Sequence, residues 1–452
     1  MAKQYSLDMT KGNEISLLLR FTLPMLFGNL FQQFYNMADS VIVGKFVGSN
    51  ALGAVGSVGS INFLFFSLCM GLGSGIGILI SQYYGAGAHD YVKKIIANAI
   101  YITAVTGVLM SFLGAFFARP VLTLMHTPAE NFADALVYMR IVCGFTFIVA
   151  GYNAISAILR ALGDAKTPLI FLVVASFINI VLDLVFVLKF DMGVAGTAWA
   201  TVIAQGFSMV GSIIYGYKKN ENLHLKRNHF MVDSEIVKKS FRIGLPMAAQ
   251  NALIAISCVS LQSVVNRFGP TVMAAFTATG RVEQLVHQPF NSLGMAESTF
   301  AGQNAGAGQF ERVKVGVKKG MMIVAAFSAL MILVMYTCGQ PIMKIFVNDP
   351  EVIEIGAKGL MITSLMYVGL GTIYLLRGML NGVGDATFSM MNGVIEVIGR
   401  VGFAQLFMLI PGIGMWGIWW TNGMTWALTG SMNIIRVKQG RWKTKTVVEK
   451  VN

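Results

Sequence analysis

Charged residues are scarce in this chain. Only 12% of its 452 residues are Asp, Glu, Lys or Arg, whereas 55% are hydrophobic. A soluble protein carries about 25% charged residues, so the composition excludes an ordinary soluble fold. Apolar runs long enough to cross a bilayer recur from end to end. Most of the chain is therefore predicted to lie in a lipid bilayer.

Cysteine is also rare, and its positions exclude two classes of site. The four cysteines have neither the paired spacing of a disulfide framework nor the spacing of a metal site. The sequence contains no Walker motif and no pairing of a nucleophile with a base. It therefore predicts neither an ATP-driven pump nor an enzyme, and it indicates no cofactor.

Acidic residues are fewer than basic ones. The chain has 21 Asp and Glu against 34 Lys and Arg, a formal net charge of +13. The cations cluster in short segments between apolar runs, as the positive-inside rule describes, so no nucleic-acid partner is expected. The same clusters place both termini and the long central loop on the cytoplasmic side of the membrane.

The apolar runs predict an all-α integral membrane protein with twelve transmembrane helices. Each run has about 20 residues or more, which is enough to cross a bilayer. The predicted spans are residues 14–42, 50–82, 92–117, 131–160, 166–188, 194–217, 237–266, 272–302, 315–339, 352–380, 387–410 and 414–435.

The two halves of the chain repeat each other. The stretch LRALGDAKT, with Gly163 and Asp164, returns as LNGVGDATF, with Gly384 and Asp385, and two further motif pairs share this separation of 221 residues. A constant offset indicates duplication. We therefore expect two pseudo-symmetric lobes of six helices, the architecture that secondary transporters use for alternating access.

The repeat also predicts how the chain divides and how its helices end. Gly163 and Gly384 are typical of helix ends, and the aspartates that follow them are expected to cap the next helix. The predicted parts are an N-lobe at 1–218, a linker loop at 219–236, a C-lobe at 237–438 and a basic tail at 439–452.

Two carboxylates interrupt apolar spans of the N-lobe. Asp39 lies in QQFYNMADSVIV and Asp183 in FINIVLDLVFV. A charge at mid-span costs about 2.5–3.5 kcal/mol or more, so such residues are functional by default. Asn179 shares a helix face with Asp183, and Asn153 and Thr201 lie on spans that can converge on the same place.

Carboxylate, amide and hydroxyl oxygens suit a small hard cation. Na⁺ could bind at Asp39, Asn179, Asp183 and Thr201, whereas H⁺ could be carried by two carboxylates that lie close together. The alternative is that bonds between helices satisfy both acids without an ion.

The second half of the chain favours the ion site over that alternative. The positions equivalent to Asn179 and Asp183 are Arg400 and Ala404. An architectural pair would recur in both lobes, so its absence from the C-lobe indicates a function in the N-lobe.

Further residues are candidates for moving parts or for a substrate cavity. Pro24 should kink the first span and could link ion binding to cavity shape, although a rigid kink fits equally well. For two of the cavity candidates, Glu283 and His287, a structural role in helix packing competes with contact to substrate, and Glu396 should pair with Arg400. The cavity candidates are Gln32, Phe34, Tyr35, Asn36, Glu283 and His287.

Several stretches, taken in order, resemble the multidrug and toxic compound extrusion (MATE) family over essentially the whole chain. They are LPMLFGNLFQQFYNMADSVIVGKFVG, LRALGDAKTPL, NIVLD and GRVEQLVHQPFNSLGMAESTFAGQNAGAG. The resemblance implies an antiporter that exports organic cations and drugs in exchange for H⁺ or Na⁺.

Within that family the chain is more similar to DinF-like than to NorM-like members. DinF-like members associate coupling with a bent first helix and an acidic N-lobe site, and the C-lobe acids of NorM-like members are missing here. The resemblance therefore implies coupling in the N-lobe. The matching residues are Pro24, Asp39, Asn153, Asn179, Asp183 and Thr201.

Two other functions stay open. A lipid-linked oligosaccharide flippase of the same broader superfamily should carry several cations in its cavity, where the N-lobe offers acids. A receptor or scaffold without transport is disfavoured by the duplication and the acids within spans. We expect a monomeric antiporter of a bacterial-type inner membrane, acting on small cationic or amphipathic molecules.

Overall fold

The computed structural model describes residues 7–125 and 127–448, and within these residues all regular structure is helical. Both ends of the chain, which were predicted to be cytoplasmic, lie outside the described residues. The α-helices are α1 Glu14–Ile42, α2 Ser49–Gly85, α3 His89–Phe116, α4 Ala118–Leu124, α5 Ala129–Gly144, α6 Thr146–Ala161, α7 Lys166–Leu184, α8 Gly193–Lys219, α9 Ser234–Val265, α10 Pro270–Gly306, α11 Phe310–Phe346, α12 Pro350–Ser364, α13 Tyr367–Gly382, α14 Ala386–Leu409 and α15 Gly417–Lys438.

Ten of the twelve predicted spans each correspond to one helix, the other two each correspond to a pair of helices (α5 with α6 and α12 with α13), and α4 is a short extra helix. Among the described residues, eight helices are long and apolar enough to cross a membrane, and two bent pairs bring the number to ten. The remaining two spans, α10 and α15, carry more polar residues. The prediction of an all-α multi-pass membrane protein is confirmed.

Two of the predicted spans, 131–160 and 352–380, are each formed by two helices that meet at a bend. Helices α5 and α6 meet at 45°, and α12 and α13 meet at 53°. The breaks lie at Phe145 and Met366, whose backbone angles leave the α region. At the first break the ring of Phe145 packs against Trp199, 5.0 Å between centroids. The two break positions obey the repeat offset, so the bend belongs to the duplicated unit.

The repeated Gly-Asp turns differ in how their aspartates are used. Gly163 and Gly384 have φ angles of +89° and +93°, which favour glycine. Asp164 caps α7 as predicted, because its Oδ1 accepts two backbone N–H groups of the first turn at 3.0 Å each. Asp385 occupies the predicted N-cap position of α14, but its carboxylate makes no capping hydrogen bond and pairs with Arg436 at 2.8 Å instead.

Packing divides the described chain into two units. One comprises residues 7–8 and 23–248, and the other comprises residues 9–22 and 249–448. The divisions fall beside Pro24 in α1 and Pro246 in α9, so each of these helices contributes to both units. The lobe boundaries predicted from the sequence follow the chain instead and stay a prediction.

The core of the first unit extends to the predicted acids. Val43, Ala54, Tyr138, Cys143 and Ala198 are buried members of one apolar cluster. Val43 begins the turn that follows α1, so this cluster holds the end of α1 against α2, α5 and α8. In this conformation the packing therefore places Asp39 beside the core of the first unit.

Candidate functional site

Asp39 and Asp183 occupy equivalent places near the ends of two helices. Helix α1 continues as the π-helical turn Val43–Val47, and α7 continues as the π-helical turn Val185–Lys189. The two turns contact each other. Turns of this kind are rare and frequently occur at functional sites. They bring the two acids to one place in the first unit.

The two carboxyl groups are direct neighbours. Asp39 and Asp183 lie within hydrogen-bonding distance of each other, and Asp183 is completely buried. The Oδ1 atom of each has no hydrogen-bond partner among the described residues. Two ionised carboxylates at this separation repel strongly in a poorly solvated place. The pair therefore favours a shared proton or a bound cation.

Asn179 holds Asp183 in position. With its amide oriented to satisfy both ends, Nδ2 donates to Asp183 Oδ2 at 3.2 Å and Oδ1 accepts from the backbone N–H of Thr201 at 3.1 Å. The hydroxyl of Thr201 donates to the carbonyl oxygen of Thr197 at 3.0 Å. In this geometry the amide oxygen of Asn179 is already used, so Asn179 acts as a donor to the carboxylate.

Asn153 does not join this group through any contact among the described residues. Its Nδ2 donates to the carbonyl oxygen of Val149 in its own helix at 2.8 Å. Its role in ion binding stays a prediction.

Two tyrosines complete the surroundings of the acids. The hydroxyl of Tyr35 lies beside the Thr201 side chain and close to both carboxyl groups. Tyr138, which is buried, also lies near Asp39 and Asp183. Sequence analysis missed Tyr138. A hydroxyl-bearing ring in the middle of an apolar span is a usable signal, since a buried phenol usually has a polar partner.

The other cavity candidates of the N-lobe lie on the turns of α1 before Asp39. Gln32 is partly exposed, Asn36 is exposed, and 59% of Phe34 is exposed. Contact of these side chains with a substrate stays a prediction.

Glu283 belongs to a buried charge cluster in the second unit. Its carboxylate lies beside the Thr363 hydroxyl and near Arg400. Arg400 pairs with Glu396 at 3.6 Å, as predicted, and its guanidinium also donates to Ser257. These contacts are consistent with a structural role of Glu283 in helix packing.

His287 lies in an aromatic setting in the same unit. Its ring is 5.7 Å from that of Trp426 and 6.0 Å from that of Tyr374, between centroids. The Tyr374 hydroxyl is 3.4 Å from His287 Nδ1. These contacts are consistent with a structural role of His287 in helix packing.

A comparison with protein families decides where the chain belongs. The MatE family model matches residues 24–185 and again residues 246–405. The chain is a member of the MatE family. The two matches also confirm the internal duplication, since one model fits each half of this MatE protein. As a MatE protein it is a membrane transporter and not an enzyme.

Curated relatives of this MatE transporter include two proteins of Bacillus subtilis. It is 30% identical to the probable multidrug resistance protein YoeA over 371 residues, which covers 80% of each chain. It is 29% identical to the probable multidrug resistance protein YpnP over 441 residues, 96% of this chain and 97% of the relative.

Solved MATE structures share the fold of this MatE protein. A crystal structure of MATE in the bent conformation has a TM-score of 0.91 at 21% identity, over 99% of this chain and 100% of that one. A structure in the straight conformation has a TM-score of 0.90 at 22% identity, over 98% and 100%. This likeness confirms twelve helices in two lobes. The DinF-like assignment stays a prediction.

Proposed function

We propose that this protein is a secondary antiporter of a bacterial inner membrane that exports small cationic or amphipathic molecules in exchange for H⁺. The observation that carries the proposal is the Asp39–Asp183 pair, in which Asp183 is completely buried and Asp39 is half-buried, in a chain of the MatE family. The multidrug resistance proteins among its relatives support the class of substrate.

The choice of H⁺ over Na⁺ rests on the oxygens that surround the pair. A hard metal cation needs several oxygen ligands. The Asn179 amide turns its N–H toward Asp183 and its oxygen toward the backbone N–H of Thr201, so the amide oxygen is directed away from the carboxylate. A proton needs only the two carboxyl groups, which are in place. Na⁺ coupling is the alternative outcome of the test below.

The proposed mechanism links the charge of the pair to the position of α1. With one proton shared, Asp39 can remain beside Asp183. When the proton leaves, repulsion between two carboxylates favours a conformation in which α1 has moved away from α7. Pro24 supplies the place where α1 can bend, since proline removes one helical hydrogen bond. Solved MATE structures in bent and straight conformations support such a motion.

Substrate and proton would then compete through one conformational equilibrium. A ligand shifts that equilibrium only by its difference in affinity for the two states. Proton binding favours one state of α1, and substrate binding favours the other. Each therefore lowers the affinity for its counterpart, which is the requirement for exchange.

Transport in proteoliposomes tests the proposal. Vesicles with the purified protein receive a fluorescent organic cation, and a pH gradient and a Na⁺ gradient are imposed separately. We expect movement of the dye under the pH gradient alone, with loss in Asp39→Asn and in Asp183→Asn. Glu130→Gln, which removes an exposed carboxylate, is the control and should retain transport.

The other outcomes are equally informative. Movement under the Na⁺ gradient alone would replace H⁺ by Na⁺. Movement that survives both aspartate substitutions would refute the site, and absence of movement under either gradient would favour the flippase or a protein without transport.

A further inference from the structure

A row of polar side chains follows the contact between α14 and α15 in the second unit. Both helices contribute a polar residue at every third or fourth position, so the residues of each helix share one face. Apart from Arg436, which is half-buried, all are buried. This set, the polar seam, consists of Asp385, Ser389, Asn392, Glu396, Arg400, Thr421, Thr425, Thr429, Asn433 and Arg436.

The charged groups at the two ends of the polar seam are paired. At one end Asp385 and Arg436 lie 2.8 Å apart. At the other end Glu396 and Arg400 lie 3.6 Å apart. Each carboxylate thus has its own guanidinium, so the middle of the seam lies between two neutralised pairs.

The middle of the seam is different, because one polar atom of each of its four side chains has no hydrogen-bond partner among the described residues. Ser389, Asn392, Thr429 and Asn433 are each completely buried. One bond joins them, from Asn392 Nδ2 to Asn433 Oδ1 at 2.9 Å. Among the described residues, Asn392 Oδ1, Asn433 Nδ2, Ser389 Oγ and Thr429 Oγ1 have no hydrogen-bond partner.

The hydroxyl of Thr429 is unusual for its place in a helix. Buried Thr side chains in helices usually donate to the carbonyl oxygen four residues before. Thr421 and Thr425 do so, to Gly417 and Thr421, at 2.7 Å each. Thr429 is the next member of this series, but its hydroxyl makes no such bond. Its hydroxyl is therefore available to a ligand.

The unpartnered atoms define the chemistry of that ligand. Asn392 Oδ1 can only accept, Asn433 Nδ2 can only donate, and the hydroxyls of Ser389 and Thr429 can do both. A metal cation cannot satisfy an amide N–H, and an anion cannot satisfy a carbonyl oxygen. Water satisfies both, and buried waters typically bind such otherwise unpaired polar groups.

We propose that the polar seam binds a short chain of water molecules between the Asp385–Arg436 pair and the Glu396–Arg400 pair. These waters hydrogen-bond to the side chains of Ser389, Asn392, Thr429 and Asn433. The chain gives water a route within the C-lobe to Glu396, whose partner Arg400 also lies near Glu283. This proposal does not depend on the coupling site in the N-lobe.

In the N-lobe an aromatic ring fills the position that is equivalent to the middle of the polar seam. The ring of Phe171, the repeat equivalent of Asn392, packs against Phe207 and Tyr215 with centroids 6.4 and 5.9 Å apart. Ser208, the equivalent of Thr429, donates to the carbonyl oxygen of Phe171 at 3.0 Å. Among the described N-lobe residues equivalent to Ser389, Asn392, Thr429 and Asn433, Ser212, the equivalent of Asn433, is the one with an unpartnered hydroxyl. An aromatic ring thus occupies the position that amides occupy in the C-lobe.

The difference between the lobes supplies a matched pair of reporters. The four native cysteines are replaced by serine, and Thr429→Cys or Ser208→Cys is introduced. X-ray radiolysis of the full-length protein in nanodiscs makes hydroxyl radicals from bound water, and mass spectrometry measures thiol oxidation. Both reporter positions are completely buried, so bulk exposure does not distinguish them.

We expect the cysteine at position 429 to oxidise at least five times faster than the cysteine at position 208. Equal rates would overturn the proposal. Because a reporter variant can fail to fold, the wild-type protein supplies a second measurement. An experimental density map that resolves ordered water should show it within hydrogen-bonding distance of Asn392 Oδ1 and Asn433 Nδ2. A dry seam whose side chains bond to one another would also overturn the proposal.

Discussion

Asp39 and Asp183 face each other carboxyl to carboxyl, although they belong to the first and the seventh α-helix of the chain. Asn179 holds Asp183 through one amide hydrogen bond, at 3.2 Å. The pair is thus supported on one side only: Asp183 is fixed by its own helix, whereas Asp39 lies on a helix with a proline. This asymmetry makes Asp39 the partner expected to move.

Asn179→Leu should destabilise the protein. The substitution removes the amide donor of the Asp183 carboxylate, which costs about 1–3 kcal/mol for a buried group. Thermal unfolding of the purified protein measures the effect. The control is Asn153→Leu, since Asn153 bonds only within its own helix. Equal losses in the two variants would contradict the supporting role of Asn179.

Glu297→Ile should stabilise the protein. Glu297 is completely buried, and neither carboxyl oxygen has a partner among the described residues. The repeat equivalent is Ile76, which is also buried, so the N-lobe already tolerates this side chain. Removing an unsatisfied buried group should increase the free energy of unfolding by about 1–3 kcal/mol.

The matched control for Glu297 is Glu396→Ile. Glu396 is equally buried but pairs with Arg400, and removing one partner of a buried pair costs about 3–5 kcal/mol. Opposite shifts of the unfolding temperature are expected in the two variants. A loss of stability in Glu297→Ile would show that its carboxyl group has a partner or a function in the membrane.

Pro24→Ala should raise stability and lower transport together. Proline in a helix interior is about 3 kcal/mol less favourable than alanine, so the substitution strengthens the straight form of α1. If α1 must bend, dye transport should fall severalfold. A stabilised variant with unchanged transport would show that the kink is rigid.

Trp442→Ala should destabilise the second unit. The basic tail was predicted to begin at residue 439, but Trp442 is buried against Phe310 at 6.0 Å between ring centroids. Truncation of a buried Trp costs about 3–5 kcal/mol. Lys443→Ala is the control, because solvent screens its ion pair with the exposed Glu311 and the pair contributes little to stability. Similar small shifts in both variants would mean that the tail is not anchored.

The architecture could be predicted from the sequence because it depends on patterns that repeat. Long apolar runs predicted the spans, and the separation of Gly163 from Gly384 predicted the duplication. The charges within spans predicted the acidic pair. Each of these signals is a pattern in the order of residues, so one sequence is enough to detect it.

The remainder depends on contacts that the sequence does not encode locally. The breaks at Phe145 and Met366 occur inside apolar runs that contain no proline there. Tyr138 reaches the acids only because α5 packs beside α8 and the turn that follows α1. Asp385 was expected to cap α14, but Arg436 comes within reach only once α15 folds back along it.

Proton release on substrate binding tests the central claim most directly. The purified wild-type protein in weakly buffered detergent solution is titrated with the fluorescent organic cation, and a pH indicator records the protons that appear. If the cation and H⁺ compete through the Asp39–Asp183 pair, the wild type should release protons as the dye binds, and Asp39→Asn and Asp183→Asn should bind the dye without release. Dye binding to the wild type without proton release would contradict the account. Proton release from both variants that equals the release from the wild type would also contradict it.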